Sequence, residues 1–88
     1  MHYIYIIQNQ FSKIYIGYTN DIKNRLNDHN SGKCISTRGF KWCLIYCEIY
    51  LVKQDAINRE RNLKHYGQSL AHLKKRVKYS LQTEISAG

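Results

Sequence analysis

Two tyrosines, an arginine, a histidine and a glutamate carry the chemistry available to this chain. In Tyr3-Ile4-Tyr5 and Tyr15-Ile16-Gly17 the residues alternate, so Tyr3, Tyr5 and Ile7 point one way and Ile4 and Ile6 the other. With Asn9, Gln10 and Phe11 as the loop of a hairpin, Tyr5 falls opposite Tyr15 and Tyr3 opposite Gly17. The hydroxyls then share one face, and the isoleucines share the other toward a core. A one-residue slip would scatter the two tyrosines. Arg25 and His29 are four apart and project from one side of a helix. An arginine can grip a phosphate with two nitrogen donors, and a histidine can move a proton near neutral pH. The bland alternatives are a solvated helix face, and tyrosines that merely pack well on a pleated surface.

Glu60 lies between Ala56 and Leu63, on the stripe of its helix that should face the protein body. A carboxylate there needs a partner. It can take a divalent cation, with waters and substrate phosphate filling the remaining positions, or pair with a neighbouring basic residue.

The elements that must position these groups are legible in outline. After the hairpin, Thr19 or Asn20 can cap a helix with Asp21 in its first turn and Ile22 and Leu26 on its apolar stripe, stopping near Gly32. Residues 33–41 read as a basic loop, and Trp42 to Tyr50 as a third strand on which Cys43 and Cys47 share a face. A second helix spans about Lys53 to Tyr66, with Val52, Ala56, Leu63 and the stem of Arg59 on one stripe, ending at Gly67. Ser69 then caps a third, with Leu70, Leu73, Val77 and Leu81 at helical spacing and fraying from Gln82. The expected fold is an α/β domain of the α+β type, a small three-stranded antiparallel sheet flanked by about three helices over residues 1–82, with 83–88 as a frayed tail.

The chain has 88 residues, 43% apolar and 23% charged, which suits one ordered domain. Fourteen Lys and Arg against six Asp and Glu leave a formal charge of +8, pointing to an anionic partner, most simply nucleic acid. Lys33, Arg38, Lys41, Lys64, Lys74, Lys75, Arg76 and Lys78 are the candidate contacts. A membrane surface or acidic protein is the competing partner, but no apolar run approaches the ~20 residues of a spanning helix. No signal-peptide pattern opens the chain, so an intracellular protein is expected, cytoplasmic if bacterial. Three cysteines, an odd number, argue for free thiols rather than disulfides, and no second Cys/His pair supports zinc.

Taken together, Tyr3-Ile4-Tyr5, Tyr15-Ile16-Gly17, Thr19, Arg25, His29 and the run from Ala56 through Glu60 to Leu63-Lys64 resemble the GIY-YIG nuclease family across nearly the whole chain. The run His29-Asn30-Ser31-Gly32-Lys33 and the later Thr37-Arg38-Gly39 are similar to small stand-alone members related to the nuclease module of bacterial excision repair.

The resemblance implies a DNA endonuclease that hydrolyses phosphodiester bonds with one divalent metal, Mg²⁺ or Mn²⁺. It makes Tyr5 and Tyr15 the motif tyrosines, Arg25 the phosphate-holding arginine, His29 the histidine that helps Tyr5 accept a proton from the attacking water, and Glu60 the metal ligand. DNA is then bound without strong sequence specificity, and no obligate protein partner is expected. Two departures stand out: Tyr3 replaces the first glycine of the motif, and the third helix lacks a late asparagine found in some members. A binding module that kept the fold and lost turnover is the alternative.

Overall fold

Aliphatic and aromatic residues alternating along His2–Asn9 and Ile14–Thr19 build strands β1 and β2, which pair antiparallel. A third strand, β3 at Trp42–Tyr50, pairs antiparallel with the other side of β1, giving the order β2-β1-β3. The computed structural model describes residues 1–81, so the expected fraying from Gln82 and the tail at 83–88 lie outside the described residues. Helix α1 covers Ile22–Asn30, α2 Lys53–His65 and α3 Gly67–Arg76, completing the α+β domain.

The hairpin turn sits one residue later than its sequence suggests. Asn9 stays in the ladder, its N–H donating to the Lys13 carbonyl, while its side-chain oxygen accepts from the N–H groups of Phe11 and Lys13. Gln10, Phe11 and Ser12 form the turn, with Ser12 left-handed at φ 66°. The register therefore shifts by two: Tyr5 opposes Gly17, Tyr3 opposes Thr19, and Tyr15 opposes Ile7. An even shift keeps every side chain on its expected face.

A second irregularity does change a face. Between Ile6 and Ile7 the pairing with β3 jumps from Tyr46 to Leu44, a bulge that leaves Ile45 unopposed. Ile45 and Tyr46 consequently both pack toward α2 and α3. Cys43 pairs with Gln8 and Cys47 with Tyr5, so the two thiols face opposite sides of the sheet, not one side as their spacing suggests. All three cysteines are free.

Each face of the sheet carries its own core. Ile4, Ile6 and Ile16 pack with Ala56 and Leu63 of α2 and Leu73 of α3. Tyr5, Ile7 and Trp42 pack on the opposite face, with Tyr15, Phe40 and the α1 residues Ile22 and Leu26 around them. β1 is thus buried on both faces, and Tyr5 is only 2% exposed where a one-sided strand would have left it wetter.

The helix ends differ from expectation for local reasons. Asp21 itself caps α1, accepting from the Asn24 N–H, while Thr19 accepts from the Asp21 N–H one step earlier. The α2 terminus is set by extended Tyr66, and Gly67 opens α3 with no side-chain cap, so neither the glycine stop nor a Ser69 cap is used. Val52 is half exposed just ahead of α2, off the buried stripe. α3 ends at Arg76, and Val77 to Leu81 fold into a turn instead of a further helical stretch.

Candidate active site

Tyr5 projects from the middle of the sheet because its cross-strand partner is Gly17. A methyl group on Gly17 would lie 2.8 Å from Tyr5 Cε1 and closer still to its Cζ and hydroxyl. The glycine is the space in which the tyrosine ring lies. Gly17→Ala should therefore destabilise the domain by about 1–3 kcal/mol through overpacking. It should also displace the hydroxyl and lower any activity of the site by more than thermal melting accounts for, which paired melting and activity measurements will show.

α1 brings Arg25 and His29 over that hydroxyl. His29 is fully buried, with Nε2 2.7 Å from Tyr5 Oη, and Arg25 Nε donates to the same oxygen at 3.4 Å. Tyr15 closes the other side of the imidazole edge-to-face, with ring centroids 4.9 Å apart, and lies 6.4 Å from the Tyr5 ring. His29 Nδ1 is 2.8 Å from Thr37 Oγ1, in a single 3₁₀ turn at Ile35–Thr37. Asn30 fixes the end of α1 to the start of β3 by accepting from the Trp42 N–H and donating to its carbonyl.

Burial sets the proton affinities. It pushes the Tyr5 phenol up to about 12, against the opposing pull of Arg25. It lowers His29 below its usual range, reinforced by the positive charge of Arg25 and opposed by Asp28. At neutral pH the pair is therefore a protonated phenol beside a neutral imidazole. That is a donor and an acceptor at hydrogen-bond distance.

Tyr5, Tyr15, Arg25 and His29 thus come together as their faces and spacing suggest. Glu60 stands at the edge of the group. Its side chain, 21% exposed, pairs through the carboxylate with Lys64 at 3.0 Å, and the Lys64 nitrogen lies 5.9 Å from the centre of the Tyr15 ring. Tyr15, Lys64 and Lys74 line a shallow groove of about 300 Å³ along β2, so two of the eight candidate cations border the site.

Lys33, Arg38 and Lys41 are exposed on the loop beside the other end of α1, with Lys33 near Asp28 and Arg38 donating to the Gly32 carbonyl. Lys75, Arg76 and Lys78 are exposed at the end of α3 and do not line the groove. A larger cavity of about 420 Å³, between Gln8, Lys41 and Cys43, holds none of the five chemistry-bearing residues.

Two residues escaped the sequence reading. Glu48 accepts from Tyr46 and Tyr50 and takes two nitrogens of Arg59, tying α2 to β3 on the face away from Tyr5. Burial raises its pKa, but the hydrogen bonds from Arg59, Tyr50 and Tyr46 prevail and hold the carboxyl below its usual range. Its position two residues from a tyrosine on either side, on one face of a strand, was the available signal. Thr37 stood out only within the run Thr37-Arg38-Gly39, and nothing in its spacing pointed to a contact with His29.

The sheet order and the helices on both faces define a small α+β domain with a Tyr-His-Arg cluster on one face. The chain belongs to the GIY-YIG family: the GIY-YIG catalytic domain matches residues 1–76. It is similar to a UPF0213 protein of Haloquadratum walsbyi, 34% identical with 74% of this chain and 75% of the relative covered. A UPF0213 protein of Bacillus pumilus is 38% identical, covering 72% of this chain and 66% of that one. The solution NMR structure of a UPF0213 protein from Bacillus halodurans superposes with a TM-score of 0.55 at 29% identity, covering 99% of this chain and 98% of that one. Among the described residues, no helix is long and apolar enough to cross a membrane.

Proposed function

We propose that this protein is a divalent-metal-dependent DNA endonuclease that hydrolyses phosphodiester bonds at one composite site of Tyr5, Tyr15, Arg25, His29 and Glu60. The observation that carries the reading is the Tyr5 hydroxyl held between His29 Nε2 at 2.7 Å and Arg25 Nε at 3.4 Å. A phenol with a pKa of about 12 is a poor base by itself. It becomes a competent one as part of a relay: its proton leaves to His29 as its oxygen takes another from the attacking water. Arg25 stabilises the oxygen during the exchange, and its two terminal nitrogens remain for the phosphate. Tyr15 walls the imidazole and borders the groove along which the backbone would run.

Whether the residues suit a metal is a question of donor chemistry. Among the described residues no three His, Cys, Asp or Glu side chains come together, so the protein would offer one carboxylate. Glu60 qualifies, being a hard oxygen donor within reach of solvent, whose partner Lys64 is 44% exposed and free to swing away. An Mg²⁺ or Mn²⁺ ion there would neutralise charge on the departing phosphate oxygens.

The acid limb of the pH–rate profile follows from His29. A protonated imidazole cannot accept from Tyr5, so cleavage is lost as pH falls through the His29 pKa, which burial places below its ordinary value of about 6.5. Activity should accordingly hold through neutral pH.

Lys64 and Lys74 border the groove beside Tyr15, Lys33, Arg38 and Lys41 stand on the loop after α1, and all are exposed, which favours phosphate contacts over base reading. With about four to five phosphates neutralised, log K should fall against log salt with a slope near −4, roughly a several-hundredfold loss between 50 and 200 mM. Lys41→Ala combined with Lys74→Ala should flatten the slope by about 2. An unchanged slope would remove both groups from the interface.

A binding module without turnover is the second reading, favoured by the deep burial of the Tyr5 hydroxyl. The assay that separates the two offers linear, nicked, flapped and branched DNA with Mg²⁺, with Mn²⁺ and with chelator. Metal-dependent cleavage of any of these supports the nuclease; salt-sensitive binding with no cleavage under any condition supports the module.

A further inference from the structure

One continuous chain of hydrogen bonds crosses the site, and both of its ends have a fixed direction. At one end Arg25 Nε can only donate, and it does so to Tyr5 Oη at 3.4 Å. At the other end the Cys34 carbonyl can only accept, and Thr37 Oγ1 donates to it at 3.4 Å. Between them stand Tyr5 Oη to His29 Nε2 at 2.7 Å and His29 Nδ1 to Thr37 Oγ1 at 2.8 Å.

The protons on the middle groups follow by counting. A hydroxyl owns one proton; with that of Thr37 directed at the Cys34 carbonyl, its oxygen faces His29 as an acceptor. Nδ1 must therefore carry a hydrogen, which leaves Nε2 of the neutral ring bare. Arg25 occupies the Tyr5 oxygen as a donor, so the phenolic proton goes to Nε2.

We infer that Thr37 is a positioning residue that locks His29 in its Nδ1–H tautomer and so keeps Nε2 open to the proton of Tyr5. The inference rests on the relay proposed above and names the group that orients it. Without the threonine hydroxyl the imidazole is free to take the other tautomer. Nε2–H and Arg25 would then both point donors at the Tyr5 oxygen, and the phenolic proton would have nowhere to go. After transfer, the same Thr37 oxygen still accepts from Nδ1–H of the imidazolium.

The surroundings hold Thr37 for this task. It is fully buried, its own N–H bonds to the Cys34 carbonyl at 3.2 Å, and its carbonyl accepts from the Trp42 indole at 2.9 Å. Trp42 is itself clamped by Asn30, the residue after His29. The run His29-Asn30 and the later Thr37 thus form one closed structural loop around the imidazole.

Nitrogen-15 NMR of the histidine rings, on the protein without metal or DNA near pH 7.5, reads the tautomer directly. The expected wild-type spectrum has His29 Nδ1 protonated and Nε2 bare. Thr37→Val, which keeps size and removes the hydroxyl, should lose that uniform tautomer, and Thr37→Ser should retain it.

In cleavage, Thr37→Val should lower kcat by roughly 10–100-fold with little change in KM, and serine should restore most of it. A wild-type His29 protonated at Nε2, or a valine variant with unaltered tautomer and rate, overturns the inference. If valine prevents folding, the wild-type spectrum and the serine variant still decide it. The expected tautomer in a protein that cleaves no DNA upholds the lock and removes the nuclease reading instead.

Discussion

Tyr5→Phe should slow cleavage by at least the ~10²-fold typical of a positioned acid or base while leaving a folded protein. The substitution keeps the ring in the space above Gly17 and takes away only the oxygen that joins His29 to Arg25. It is not silent for stability. Removing a buried hydroxyl leaves His29 Nε2 without its donor, a cost of about 1–3 kcal/mol, or roughly 5–20 °C in a domain of this size. The measurement is therefore single-turnover cleavage at a temperature where circular dichroism shows the variant fully folded. DNA affinity should stay within about twofold, because no charge is lost. Cleavage at the wild-type rate would assign Tyr5 to the core alone and end the relay.

Glu60→Gln should abolish Mg²⁺-supported cleavage, and here the geometry sharpens the contrast. A glutamate paired with a buried cation would have left that cation stranded on substitution, at a cost of about 3–5 kcal/mol. Lys64 is instead 44% exposed, and an i,i+4 pair of this kind contributes only about 0.3–0.5 kcal/mol. The variant should melt within about 2–4 °C of the wild type and bind DNA as tightly or more tightly, having lost a negative charge beside the groove. Lost cleavage in so stable a variant isolates the role of the carboxylate. Surviving cleavage would leave Glu60 as a surface partner of Lys64 and nothing more.

How much of this was legible follows from which physics is local. Period-two alternation assigned Tyr5 and Tyr15 to one face, and the spacing of four put Arg25 beside His29, because both depend only on backbone geometry. Strand β3 runs from Trp42 to Tyr50 as its composition suggests. Register was less accessible, since the side chain of Asn9, which starts the turn without joining it, shifts the pairing by two. The β3 bulge depends on how two cores divide Ile45 and Tyr46, and no window of sequence holds that information. Glu60 was read as inward-facing from its stripe, and its exposure of 21% places it at the border of that stripe. Thr37 required the fold itself, because its meaning lies in a contact across a loop.

The central strand has a consequence for how the protein can fail. β1 supplies Ile4 and Ile6 to one core and, on the alternate positions, Tyr5 and Ile7 to the other. The phenol of Tyr5 is therefore part of a strand buried on both faces. Local opening, the usual route by which active sites lose order before the rest of a domain, cannot release Tyr5 without disturbing both cores, although α1 carries Arg25 and His29 as a separate unit. Heat or denaturant should therefore open the β1 amides to hydrogen exchange only with global unfolding.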